Sequence, residues 1–132
     1  MNRRGDKIAE IKQYLNELEE IVPDNFNIYK DSIEKKAACE RYFEKIVEAV
    51  VDLTFLLINK NVDNDKQAFD VLIDEGIIDT ELGEKLKDAK GMRNIIAHEY
   101  GVIDDRLVFE SIQHELIRDV AKFLEVCNES TI

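Results

Sequence analysis

Proline occurs once in this chain and glycine only five times. So little punctuation excludes the turn-dense pattern of an all-β chain and favours helices. Cysteine is scarce too. Cys39 and Cys127 lie far apart and match no CxxC spacing, so they read as reduced core thiols rather than a disulfide or a metal site. No apolar run approaches the roughly 18 residues of a membrane span. The N-terminal MNRRGDKIAEI turns polar at once, without a signal-peptide core. The expected compartment is the cytoplasm, with no membrane partner. Positive charge is also short, with 18 Lys and Arg against 29 Asp and Glu, a net charge of -11. That field repels nucleic acid in bulk, so any RNA contact must come from a local basic cluster. The 2 histidines are not at HExxH spacing, the acids are scattered, and no Gly-rich loop cradles a phosphate. No metal or cofactor is expected.

Against these absences stand 45% hydrophobic and 36% charged residues in 132 positions, enough for one domain over 1–132 with a frayed tail at 128–132. Ile8, Ile11, Leu15, Leu18 and Val22 recur at steps of three and four, predicting an amphipathic helix from Asp6 that Pro23 ends. PDNFN reads as turn. A long helix then starts at Asp31, an N-cap with Glu34 three residues on. It runs to about Asn59 with a core face of Ala38, Tyr42, Ile46, Val50, Leu53 and Leu57. Its second half, IVEAVVDLTFLLI, is apolar nearly all round, which points to a face covered by another subunit. Glu48 and Asp52 interrupt it, one turn apart. NKNVDND is a loop, and Lys66 to Glu75 a short helix closed by Gly76. Asp79 or Thr80 caps a helix through Leu82, Leu86, Ala89 and Met92 into RNIIAHEYG. Leu107 to about Cys127 forms the last helix, facing inward with Val108, Ile112, Leu116, Val120, Phe123 and Leu124. His114, between Gln113 and Glu115, reads as surface. The fold class is all-α, an antiparallel bundle of four main helices and one short one.

RNIIAHEYG, Arg93 to Gly101, concentrates the chemistry. At about 100° per residue, Arg93 and Tyr100 share a line with the apolar face, while His98 sits about 140° from Arg93 on the side of Asn94. One straight helix does not aim Arg93 and His98 at one point. Either the helix ends near His98, as Gly101 allows, or two chains complete the site across a two-fold axis. Plain readings stand beside this. His98 suits a helix C-terminus, Arg93 an ordinary salt bridge, and Tyr100 a core aromatic with its hydroxyl at the rim.

The run RNIIAHEY resembles the R-x4-6-H-x-Y motif of the HepT-like proteins, a branch of the HEPN superfamily. The likeness extends to Glu40–Arg41 and Asp52 on the long helix, to FDVLIDEGII, and to HEYGVID. It implies a HEPN-like bundle and a metal-independent ribonuclease toxin of a type VII-like toxin–antitoxin system. It further implies a homodimer with the two motifs meeting in the interface cleft. The partner would be a minimal nucleotidyltransferase antitoxin that silences the toxin by attaching AMP to Tyr100. On this resemblance Arg93 and His98 are the catalytic residues, and Asn94, Tyr100 and Asp52 support them.

Residue chemistry suits an RNA substrate, which carries its own nucleophile, the 2′-OH. Histidine can act as base or acid near neutral pH. Arginine can hold a phosphate in a fork. Asn94 could orient the substrate or the imidazole. Asp52 is a candidate partner for Arg93. Lys87 and Lys90, with Lys85, could form a positive stripe for RNA, or a solvated face neutralised by Glu84 and Asp88. A rival reading remains, a non-catalytic helical module that binds a nucleotide or a nucleotidyltransferase partner.

Overall fold

The computed structural model describes residues 2–98 and 103–130. These residues are helical with no strands, in the order α1 (Arg3–Ile21), α2 (Phe26–Asp31), α3 (Ile33–Leu57), α4 (Asp65–Asp74), α5 (Thr80–His98), α6 (Asp105–Ser111), a π-helical turn (Ile112–Leu116) and α7 (Ile117–Ser130). The all-α class holds.

α1 begins where the Asn2 side chain accepts from Gly5 N at 2.9 Å, and it buries Ile8, Ile11, Leu15 and Leu18. It packs along α3. Lys7 meets Asp52, and the Tyr14 and Tyr42 rings meet edge to face at 6.3 Å. Arg4 Nη2 donates to the Leu56 carbonyl at 3.3 Å. Residue numbers rise on one helix as they fall on the other, so the pair is antiparallel.

PDNFN does more than turn. Asn25 caps the short helix α2, and Tyr29 on it is fully buried against Phe26 and Phe109. The expected cap Asp31 is therefore the last residue of α2, and the cap of α3 is Ser32, which accepts from Lys35 N at 3.1 Å. A serine hydroxyl does what the aspartate was expected to do, one residue later.

The second half of α3 is enclosed by its own chain. Ile46, Val47, Ala49, Val50, Val51, Leu53, Thr54 and Leu57 are all buried. Exposure is confined to a stripe of Glu48, Asp52 and Phe55. α1 covers one side and α4 and α5 the other. The apolar circumference thus needs no second subunit to explain it. The hydroxyl of Thr54, buried in that face, donates to the Val50 carbonyl one turn back at 2.9 Å, which satisfies it locally.

α4 and α5 form an antiparallel hairpin. Gly76, at φ +73°, ends α4 in the left-handed conformation, and Asp79 caps α5 by accepting from Leu82 N at 2.8 Å. Gly83 allows the close approach: a Cβ there would lie 2.6 Å from Ile73 Cγ1. The last helical run starts at the Asp104 cap and buries Val108, Ile112, Leu116, Val120, Phe123 and Leu124, the face that the periodicity picks out. Its π-helical turn was not expected. There Gln113 Nε2 donates to the Pro23 carbonyl at 2.7 Å and ties the last helices to the α1–α2 corner. Cys39 and Cys127 are free and buried, as expected. His114 is exposed and meets Glu110 at 3.2 Å. Among the described residues no helix is long and apolar enough to cross a membrane, and no group of His, Cys, Asp and Glu could hold a metal ion.

Candidate active site

α5 carries basic residues at steps of three: Lys87, Lys90 and Arg93. Their side chains are only 20%, 15% and 19% exposed. Each is held by an acid from a neighbouring helix. Lys87 pairs with Asp70 of α4, and with Glu84 at 3.4 Å. The hydrogen bond that its ammonium donates to Asp70 is the main reason its pKa is raised. Lys90 pairs with Asp65 of α4 at 3.0 Å. Arg93 pairs with Glu48 of α3. Lys85, one turn before Ala89, reaches Glu115 at 3.5 Å. The expected positive stripe is therefore a row of interhelical clamps. Lys87 and Lys90 are already neutralised, by Asp70 and Asp65 rather than by Asp88.

The acid on Arg93 is Glu48, which corrects the expected role of Asp52. Asp52 is 62% exposed and reaches Lys7 of α1 at 3.5 Å. The physical reason is register. Glu48 and Asp52 share one exposed stripe, but the antiparallel pairing of α1 and α3 sets Asp52 opposite Lys7. Glu48, one turn earlier, faces α5. Both acids interrupt the apolar run in the sequence, and nothing local chooses between them.

Asn94 links the row together. Its Oδ1 accepts from Lys90 Nζ at 3.1 Å and from Arg93 Nη1 at 3.4 Å. Arg93 is thus fixed at both terminal nitrogens, while its Nε is buried with no partner among the described residues. A hollow of about 470 Å³ lies over Arg93, with Val51 and Phe55 beneath and Glu48, Asp52, Asp65 and Lys90 around it. His98 is the last residue of α5 and is exposed. It does not line that hollow. Arg93 leans on α3 while His98 faces outward, as their angular separation requires. Tyr100 and Gly101 lie outside the described residues.

The fold and the motif define a class, a helical bundle with an arginine–histidine pair near the end of one central helix. The model of the family described as "Ribonuclease HepT-like" matches residues 11–127, and the chain belongs to that family. It is 28% identical to the tRNA nuclease HepT of Aphanizomenon flos-aquae over 110 residues, 80% of this chain and 75% of that one. Identity to the mRNA nuclease HepT of Shewanella oneidensis is 23% over 125 residues, 92% of each. A match to an Archaeoglobus fulgidus protein, 33% identical over 82 residues, covers 60% of this chain and 61% of that protein. Among solved structures, the Shewanella oneidensis HEPN toxin, tri-AMPylated and in complex with an MNT antitoxin, superposes with a TM-score of 0.91. That match is at 22% identity and covers 98% of this chain and 99% of that one, a likeness of fold.

Proposed function

We propose that this protein is a metal-independent endoribonuclease and the toxin of a toxin–antitoxin pair. In this reading it works in the cytoplasm as one domain, in a homodimer whose cleft joins two copies of the motif. The observation that carries it is Arg93, held by Glu48 and Asn94 at the edge of an open hollow, with His98 at the end of the same helix. The membership of a ribonuclease family supports the reaction class.

The chemistry follows from the substrate. One His98 imidazole takes the 2′-OH proton as the 2′-oxygen attacks the adjacent phosphorus. The P–O5′ bond breaks, and a protonated imidazole, that of the second copy, returns a proton to the leaving 5′-oxygen. The products are a 2′,3′-cyclic phosphate and a 5′-hydroxyl. Arg93 stabilises the charge that grows on the phosphoryl oxygens. Asn94 keeps the guanidinium in place. The AMPylated toxin and the MNT antitoxin of the related complex support a cognate antitoxin here, a minimal nucleotidyltransferase that places AMP on Tyr100. The added charge and bulk would then exclude RNA.

One observation favours the non-catalytic alternative: three carboxylates, Glu48, Asp52 and Asp65, share the hollow with two cations, Lys90 and Arg93. The test is AMP-free protein incubated with tRNA and mRNA in EDTA, wild type against His98→Ala. Cleavage by wild type alone, leaving cyclic phosphate ends and sparing 2′-O-methyl RNA, is expected. An inactive AMP-free wild type would leave only the binding-module reading.

A further inference from the structure

With Lys87 and Lys90 committed to acids, the chain needs another cation to meet RNA. A second hollow, of about 570 Å³, adjoins the one over Arg93 and shares Asp65 and Lys90 with it. It is lined by the start of α4, including Lys66, by Asp70 one turn further on, whose carboxylate is paired with Lys87, and by Asn94 of α5. Three features separate Lys66 from the other lysines of this face. It has no carboxylate within ion-pair distance among the described residues, whereas Lys85, Lys87 and Lys90 each have one. It is exposed on the rim of the hollow. Its Nζ lies over Gly91, the residue of α5 next to Lys90, 3.9 Å from where a Cβ would stand.

Gly91 itself is telling. Glycine in a helix interior costs about 1 kcal/mol relative to alanine, yet among the described residues, beyond its own helix backbone and chain neighbours, no other atom approaches that Cβ position within 4 Å. Packing among the described residues does not require the glycine. It leaves bare backbone beneath Lys66, where something from outside can come close. Asn94 adds direction. Its Oδ1 is occupied by Lys90 and Arg93, so the two hydrogens of its Nδ2 face the opposite way, with no acceptor among the described residues.

From this geometry we infer that Lys66 and Asn94 Nδ2 form a second phosphate subsite, which binds the RNA backbone phosphate next to the one held at Arg93. The inference rests on the ribonuclease reading. It makes Lys66 a substrate-positioning residue and assigns the RNA contact to α4 rather than to the lysines of α5. A lysine point charge suits a backbone phosphate, which carries no sequence information.

The test is binding of 2′-O-methyl single-stranded RNA, which lacks the nucleophile, to wild type, Lys66→Glu and Lys122→Glu. Lys122 is an exposed lysine of α7 that lines neither hollow, so its variant matches the change in net charge. A glutamate in the first turn of α4 is favoured by the helix dipole, so the Lys66 variant should fold. K66E should bind about tenfold more weakly, with the salt slope reduced by about 0.7, the value for one phosphate contact on a single strand. K122E should stay within about twofold of wild type, the residue of a long-range field screened beyond a Debye length. On cleavable RNA, K66E should raise KM and leave kcat unchanged. Equal behaviour of K66E and K122E, with wild type cleaving RNA, would overturn the subsite alone. A wild type that neither binds nor cleaves RNA would remove the ribonuclease reading and the subsite together.

Discussion

Glu48 is the residue whose replacement discriminates most. Its carboxylate holds Arg93 from α3, and the two side chains are 47% and 19% exposed. A pair open to water on one side is screened, so Glu48→Gln should cost less than about 1 kcal/mol of stability, a Tm change of at most about 4 °C. The effect on catalysis should be larger. Arg93 would keep its contact with Asn94 at 3.4 Å but lose the partner that sets the angle of its fork. A displacement of about 1 Å in a group that holds the reacting phosphate can cost up to about 100-fold. We expect kcat to fall between about 10- and 100-fold. KM should fall as well, because one of the three carboxylates that repel RNA leaves the hollow. Asp52→Asn is the matched control. It removes the same charge from the same hollow but leaves Arg93 paired, so KM should fall while kcat stays within about threefold. The assay is steady-state cleavage of a fluorogenic RNA in EDTA, beside thermal melts of all three proteins. Wild-type kcat in E48Q, or an equal loss of kcat in D52N, would refute the assignment of Glu48 as the residue that positions Arg93.

The same substitution should have opposite signs at the two interior glycines of α5. Gly91→Ala should raise stability by about 1 kcal/mol, since among the described residues outside its own helix backbone its Cβ meets only Lys66 Nζ, at 3.9 Å. Gly83→Ala should lower it by about 1–2 kcal/mol through overpacking, because the new carbon lies 2.6 Å from Ile73 Cγ1; urea midpoints at constant slope decide this. Burial pushes the Cys39 thiol up to about 11 and the Cys127 thiol up to about 12. Unfolded thiols ionise near 8.5, so above that pH the unfolded chain sheds protons that the folded chain keeps. Stability should be full below about pH 8.5 and fall by on the order of 2 kcal/mol per thiol by pH 10. Urea melts at pH 8 and pH 10 that coincide would contradict it, and a Cys39→Ala, Cys127→Ala double variant should flatten the drop.

What the sequence makes legible here is faces. Ile8, Ile11, Leu15 and Leu18 on α1, and Val108 to Leu124 on the last run, are buried as their spacing requires. Spacing within a helix is enough to predict that. Two short-range features escape the same logic. α2 has 6 residues, too few to show a period, and its Asn25 cap reads equally well as a turn. The π-helical turn at Ile112–Leu116 leaves the apolar pattern intact, so no residue type announces it.

The candidate site fails to be legible for a different reason. The residue types in RNIIAHEYG are visible at once, but their partners depend on how far one helix is slid along another. That slide is set by contacts such as Gly83 against Ile73 and Tyr14 against Tyr42. A shift of one turn, about 5.4 Å, would exchange Glu48 for Asp52 opposite Arg93. Register also decides which cations remain for a substrate. It sets Asp70 and Asp65 against Lys87 and Lys90 and leaves Lys66 without an acid among the described residues. In a chain with a net charge of -11, the basic run from Lys85 to Arg93 is neutralised by acids of neighbouring helices. Lys66, the cation proposed to meet RNA, stands apart from that run on α4, the helix that supplies Asp65 and Asp70.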